Sequence, residues 1–98
     1  MLIVLAKLVS KDGKKDKVVD IAKSLIDTTR AEKGCIDYNL YNPIDSENNL
    51  LFVEQWEGKE FLDSHLKQDH FKKFETDIED LVESLDISIY SSEETELY

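Results

Sequence analysis

Ninety-eight residues leave room for one domain with a modest core, and twenty-two Asp plus Glu against twelve Lys plus Arg give a formal charge of -10. That balance excludes the usual partners of basic proteins, because it repels both the phosphate backbone of nucleic acids and an anionic membrane surface. Cys35 is the only cysteine, so no internal disulfide forms, and a reducing, cytoplasmic setting is expected.

The chain opens on Met1-Leu2-Ile3-Val4-Leu5-Ala6-Lys7. With no basic region ahead of it, this segment reads as a strand from Leu2 to Val9 and not as a signal core. Apart from Lys7 both of its faces are apolar, with Leu2, Val4, Ala6 and Leu8 on one and Ile3, Leu5 and Val9 on the other. Such a strand must be covered on both sides. No apolar run approaches the roughly 20 residues that span a bilayer. After a polar turn at Lys11 to Lys15, the stripe Val18, Ala22, Leu25, Ile26 and Thr29 predicts a helix from Asp16 to about Glu32. Gly34 is its natural left-handed cap. Ile36, Tyr38 and Leu40 alternate with Asp37, Asn39 and Tyr41 in a second strand. A polar loop from Asn42-Pro43 to Asn49 joins it to a third strand, Leu50 to Trp56, as an antiparallel hairpin. Beyond Gly58, Phe61, Leu62, His65 and Leu66 share one side of a short helix, and Phe71, Phe74, Ile78, Leu81 and Val82 suit a second helical stretch. The apolar stripe shifts phase between them and predicts a kink at positions 66 to 70. Leu85, Ile87 and Ile89 alternate in a final strand, and an acidic tail occupies 91–98.

The order strand, helix, strand, strand, helix, strand is the split βαβ arrangement of a ferredoxin-like α+β fold. Its sheet is four-stranded and antiparallel, with the helices on one face, and residues 1–90 form this single domain. The two-sided first strand predicts a homodimer through the free sheet face, which covers it with the same face of a second copy.

Trp56 is the only tryptophan, and His65 and His70 are the only histidines. A strand-end tryptophan beside a helix either fills a core or walls an apolar pocket. On a straight helix, five positions separate the two histidines by about 140°, a poor spacing for a shared metal, and the zinc-protease pattern is absent. No metal is expected. His65 and Asp69 form an i,i+4 pair, while a kink would bring both imidazoles toward one cavity. His65 shares its side with Phe61, Leu62 and Leu66, so it is the better candidate to face that cavity. Cys35 reads as a small buried residue, not a nucleophile. Glu54 and Glu57 do not share a strand face, which removes a paired-carboxylate glycosidase site. Gly13, Gly34 and Gly58 are isolated and form no phosphate loop.

Several of these features together resemble the antibiotic biosynthesis monooxygenase-like family, which includes small quinol monooxygenases. The marks are the opening strand ending near Ala6, Glu32-Lys33-Gly34-Cys35 with Tyr38 following, Phe52, Glu54-Gln55-Trp56-Glu57, His65-Leu66 and His70-Phe71. The resemblance covers roughly residues 1 to 90 and implies a dimeric α+β barrel with an apolar pocket between helices and sheet. It further implies a monooxygenase that oxidises a quinol or polycyclic phenol with molecular oxygen and needs no cofactor, since an electron-rich substrate can itself reduce oxygen. His65 and His70 are the expected catalytic residues. Trp56, Phe52, Tyr38, Phe61, Leu62, Phe71 and Phe74 are expected to bind the substrate in a ring-sized cavity. The alternative is a dimeric protein that binds a planar hydrophobic molecule without turnover. Related haem-degrading members carry an asparagine on the first strand, which Leu2 to Leu8 lacks, so haem degradation ranks below both.

Overall fold

Alternation along β1 (Leu2–Ser10) organises the computed structural model, which describes residues 1–93 and Thr95. Val4, Ala6, Leu8 and Ser10 are buried under the helices, while Ile3, Leu5 and Val9 lie half-buried on the opposite face. β1 sits between β3 (Asn49–Trp56) and β4 (Val82–Ser91), and β2 (Cys35–Tyr41) flanks β3. The order is β2-β3-β1-β4 with every neighbouring pair antiparallel.

Three helices cover the inner face. α1 (Lys15–Arg30) buries Val18, Ala22, Leu25 and Thr29, the stripe expected from its 3.6-residue spacing. α2 (Lys59–Leu66) buries Leu62 and His65, and α3 (Asp69–Ile78) buries Phe71, Phe74 and Ile78. They meet Leu50, Phe52 and Trp56 from β3 and Tyr38 from β2 in one core. This is the ferredoxin-like α+β fold, with its second helical unit divided. The expected kink is a full break: Gln68 is extended at φ -69° and ψ 146°, and its carbonyl accepts from the amides of Phe71 and Lys72 to start α3.

Two boundaries differ from the sequence reading. Val82 continues the helical spacing of Ile78 and Leu81, yet it opens β4. Ser10 of β1 pairs with Val82 across a register shift, and the Lys11 amide donates to the Leu81 carbonyl. A sheet partner therefore takes backbone that local spacing alone would leave helical. At the other end, β4 continues to Ser91 opposite Leu2, and the Ser92 amide donates to the Met1 carbonyl. Of the expected acidic tail, residues 94 and 96–98 lie outside the described residues.

Gly34, between α1 and β2, is required twice over. Its φ is 84°, and a Cβ built there would sit 2.1 Å from Cγ of Phe61. Its carbonyl also accepts from the Glu57 amide at 2.9 Å, tying the end of α1 to the end of β3. Gly34→Ala should add a left-handed backbone cost of about 1–2 kcal/mol and an overpacking cost of about 1–3 kcal/mol. Thermal unfolding followed by circular dichroism is expected to move down by about 10 °C or more. An unchanged midpoint would mean that neither the left-handed backbone nor Phe61 resists the added methyl group.

Candidate active site

Two neighbouring helices and one segment distant from them in sequence converge just beyond the end of α1. Glu32 follows the helix, its amide still donating to the Thr29 carbonyl and its own carbonyl accepting from Cys35. His65 comes from the inner side of α2, and His70 from the first turn of α3. Nδ1 of His65 and Nε2 of His70 both contact Oε2 of Glu32, at 2.7 and 2.8 Å. A carboxylate oxygen only accepts, so each of these ring nitrogens carries the hydrogen. In neutral His65 that leaves the lone pair on Nε2.

This Nε2 is buried and has no hydrogen-bond partner. The ring is fixed between aromatic neighbours, with centroids 4.8 Å from Trp56, 5.0 Å from Phe71 and 5.5 Å from Tyr38. Burial pushes the His65 pKa below its ordinary value; the hydrogen bond and charge of Glu32 oppose that shift, and His70 adds to it. His65 is therefore a neutral imidazole at pH 7 with an open acceptor. Its partner is Glu32 and not Asp69, because the ring turns inward.

A second ionisable group shares the interior. Glu54, on the inner face of β3, is 5% exposed and accepts a hydrogen bond from Nε1 of Trp56 at 3.0 Å. Burial pushes its carboxyl up to about 7; the indole bond opposes this and the charge of Glu32 adds to it. Burial, then Glu54, holds the Tyr38 phenol far above its usual range. Burial and the charges of Glu32 and Glu54 push the Cys35 thiol up to about 11, so it stays protonated and poorly nucleophilic at neutral pH.

Between helices and sheet lies a cavity of about 30 Å³, walled by Tyr38, Phe52, Leu62, His65, Phe71 and Phe74, with Glu54 among them. It extends to Leu85, Ile87 and Ile89 of β4. Ile87 and Ile89 are 45% and 51% exposed, so this is the side nearest solvent. The volume suits one or two water-sized molecules and is smaller than the ring-sized space expected. Trp56 and Phe61 do not line it. Trp56 is fully buried behind His65, and Phe61 covers Gly34 and borders a surface groove beside Glu32 and Lys33. His70 does not reach it either; it lies on the outer side of Glu32, 23% exposed, next to Lys73 and Asp77.

Sequence reasoning missed Glu32 and Glu54 as site residues. Glu54 left a usable signal, since residues two apart on a strand share a face and Trp56 needs an acceptor when buried. Glu32 left no local one. Glu32, His65 and His70 bring one donor atom each within 4.8 Å of one another, a nitrogen and oxygen set of the kind zinc accepts. The two contacts on Oε2, at hydrogen-bond length, account for the same geometry without an ion.

The family model described as antibiotic biosynthesis monooxygenase matches residues 1–77. An uncharacterized protein of Synechocystis is 30% identical over 96 residues, covering 97% of this chain; the chain spans only 65% of that relative's length. YcnE of Bacillus subtilis, named provisionally as a monooxygenase, is 28% identical over 74 residues, 76% of this chain and 78% of its own. A crystal structure of a conserved protein from Methanosarcina mazei Go1 superposes with a TM-score of 0.89 at 32% identity, covering 94% of this chain and 92% of that one.

Proposed function

The chain belongs to the antibiotic biosynthesis monooxygenase family, and from that premise we propose that it oxidises a quinol or polycyclic phenol to a quinone with molecular oxygen and no added cofactor. The observation that carries this reading is the buried, unpartnered Nε2 of His65, a residue that lines an apolar cavity and whose Nδ1 is clamped by Glu32. A base held in one tautomer and opened toward a dry space suits removal of a phenolic proton. The phenolate so formed is electron-rich enough to pass an electron to oxygen, so the protein supplies orientation and proton handling. His70, more exposed than its partners, connects Glu32 to solvent as a secondary group. Access for a planar ring is from the β4 side, by displacement of Ile87 and Ile89, and Tyr38, Phe52, Leu62, Phe71 and Phe74 then form its walls. Trp56 supports the site from behind by fixing His65.

Oxygen uptake by purified protein, with a panel of dihydroquinones and naphthol-type phenols and the uncatalysed rate subtracted, tests this reading. Uptake should survive a strong chelator; loss on chelation and recovery on adding a divalent ion would make Glu32, His65 and His70 a metal site instead. Saturable binding across the panel with no rate enhancement would favour a non-catalytic binding protein that uses the same apolar wall. Haem degradation ranks below both, and an unchanged Soret spectrum on adding haem would remove it.

The dimer is part of the same proposal. Ile3, Leu5, Leu51 and Val53 lie half-buried on the sheet face away from the helices, with Tyr41 and Tyr90 more than half exposed beside them. A second copy applied by two-fold symmetry would cover this face. Light scattering should give twice the 11.4 kDa chain mass. Val53→Asp, which puts a charge on that face, should give the monomer with an unchanged circular dichroism spectrum. A monomeric parent at micromolar concentration would sink the dimer. The expected cytoplasmic setting belongs here too; no helix among the described residues is long and apolar enough to cross a membrane.

A further inference from the structure

We infer that Glu54 is a second catalytic residue, a neutral carboxylic acid that delivers a proton to the oxygen bound to substrate in the cavity it shares with His65. The inference rests on the monooxygenase reading and deepens it. Among the described residues Glu54 is the one acidic residue that lines the cavity; it is 5% exposed, with one oxygen accepting from the Trp56 indole. The other walls are apolar except for His65 and Tyr38. The ionisable groups that face it are His65 from α2, Tyr38 and Cys35 from β2, and Glu32 after α1. Among the described residues, only Glu54 and His65 combine a place on this wall with a proton that can move near neutral pH. Tyr38 is held protonated far above that range, and the Glu54 carboxyl, pushed up to about 7 by burial, keeps a large share of its protons there. Burial disfavours the charged form of each group, so one site holds a neutral acid beside a neutral base.

The protons balance for a phenol whose para carbon carries hydrogen. His65 takes the phenolic proton through Nε2. The phenolate reduces oxygen and joins it at the para carbon, forming a C–O bond to a peroxide anion. Glu54 protonates the distal peroxide oxygen and becomes a carboxylate. The carboxylate then removes the hydrogen from that carbon; its bonding pair forms the new C=O as the O–O bond breaks and hydroxide leaves. The His65 imidazolium protonates the hydroxide to water. Phenol and oxygen have become quinone and water, the ring carbon is oxidised, and both residues regain their starting states.

Trp56 is the only tryptophan, and its indole N–H ends on Glu54, so its fluorescence reports the protonation of this carboxyl without any need for turnover. The expected result is a titration step in Trp56 emission near pH 7 that is lost in Glu54→Gln, which keeps an oxygen for the indole but has no acid proton. The step should persist in His65→Ala, which excludes the neighbouring imidazole as its source. In oxygen uptake, Glu54→Gln should lower kcat by about 10²-fold with KM within about threefold. A step at the ordinary carboxyl range, a step that survives Glu54→Gln, or turnover within about twofold of the parent would each overturn the inference. A parent that oxidises nothing in the panel overturns the monooxygenase reading and the proton delivery with it. The Trp56 step near pH 7 would then still stand as a property of the fold, so the two failures are told apart.

Discussion

His65→Ala is expected to lower turnover by about 10²-fold or more, the usual low end for a positioned acid-base group. Circular dichroism and light scattering should leave fold and dimer unchanged. The loss should fall on kcat, because the apolar walls that hold a ring are retained, and added imidazole should restore part of it by filling the vacated space. Glu32→Gln tests the clamp on Nδ1. It should lower turnover less than His65→Ala, since the base remains but its tautomer is no longer imposed. Glu32 also raises the His65 pKa against the stronger effect of burial, so its neutralisation should carry the acid limb of the rate to lower pH. His70→Ala should cost less than either, because His70 touches Glu32 and not the cavity. Turnover within about twofold of the parent in His65→Ala would reject the assignment, and a large loss confined to His70→Ala would transfer it.

The elements were legible because their periods differ: two along Val4, Ala6 and Leu8, and 3.6 along Val18, Ala22, Leu25 and Thr29. The four-stranded antiparallel sheet followed from the element order, whereas strand order and register come from the structure. What remained illegible was contact across the chain. His65 and His70 lie 33 and 38 positions from Glu32, and nothing local in either segment announces the meeting. Their five-residue spacing argued for divergence on a straight helix. The extended backbone at Gln68 removes that premise by starting a new helix at Asp69, and the two rings come to lie 6.1 Å apart. Cavity size was illegible for a related reason. The aromatic residues that mark a pocket also fill it, and only the packed positions of wall residues such as Phe52, Phe71 and Phe74 fix how much space remains.

A buried acid kept for chemistry should carry a cost in stability, and Glu54→Gln is expected to remove it. The folded-state pKa of Glu54 is about 7 against an ordinary 4.5. From pH 4.5 to 7 the native state therefore binds more protons than the unfolded state, and stability falls as pH rises. A rise of this size corresponds to roughly 3 kcal/mol once the carboxyl is fully ionised in both states. The variant has no such titration and should be more stable than the parent by that order at pH 8, with the gain fading toward pH 4. His65 acts from the other side. Its folded pKa lies below the ordinary 6.5, so the unfolded state takes up its proton first and stability falls as pH drops below that value. Below pH 6.5 the two slopes therefore oppose each other in the parent, and above it the Glu54 loss stands alone; Glu54→Gln should leave only the His65 dependence and hold its stability toward alkaline pH. Urea unfolding of both proteins at pH 4, 6 and 8 measures the difference directly. Equal parent and variant stability at pH 8 would mean that Glu54 ionises in the folded protein as it does in water, leaving it no proton to deliver at neutral pH.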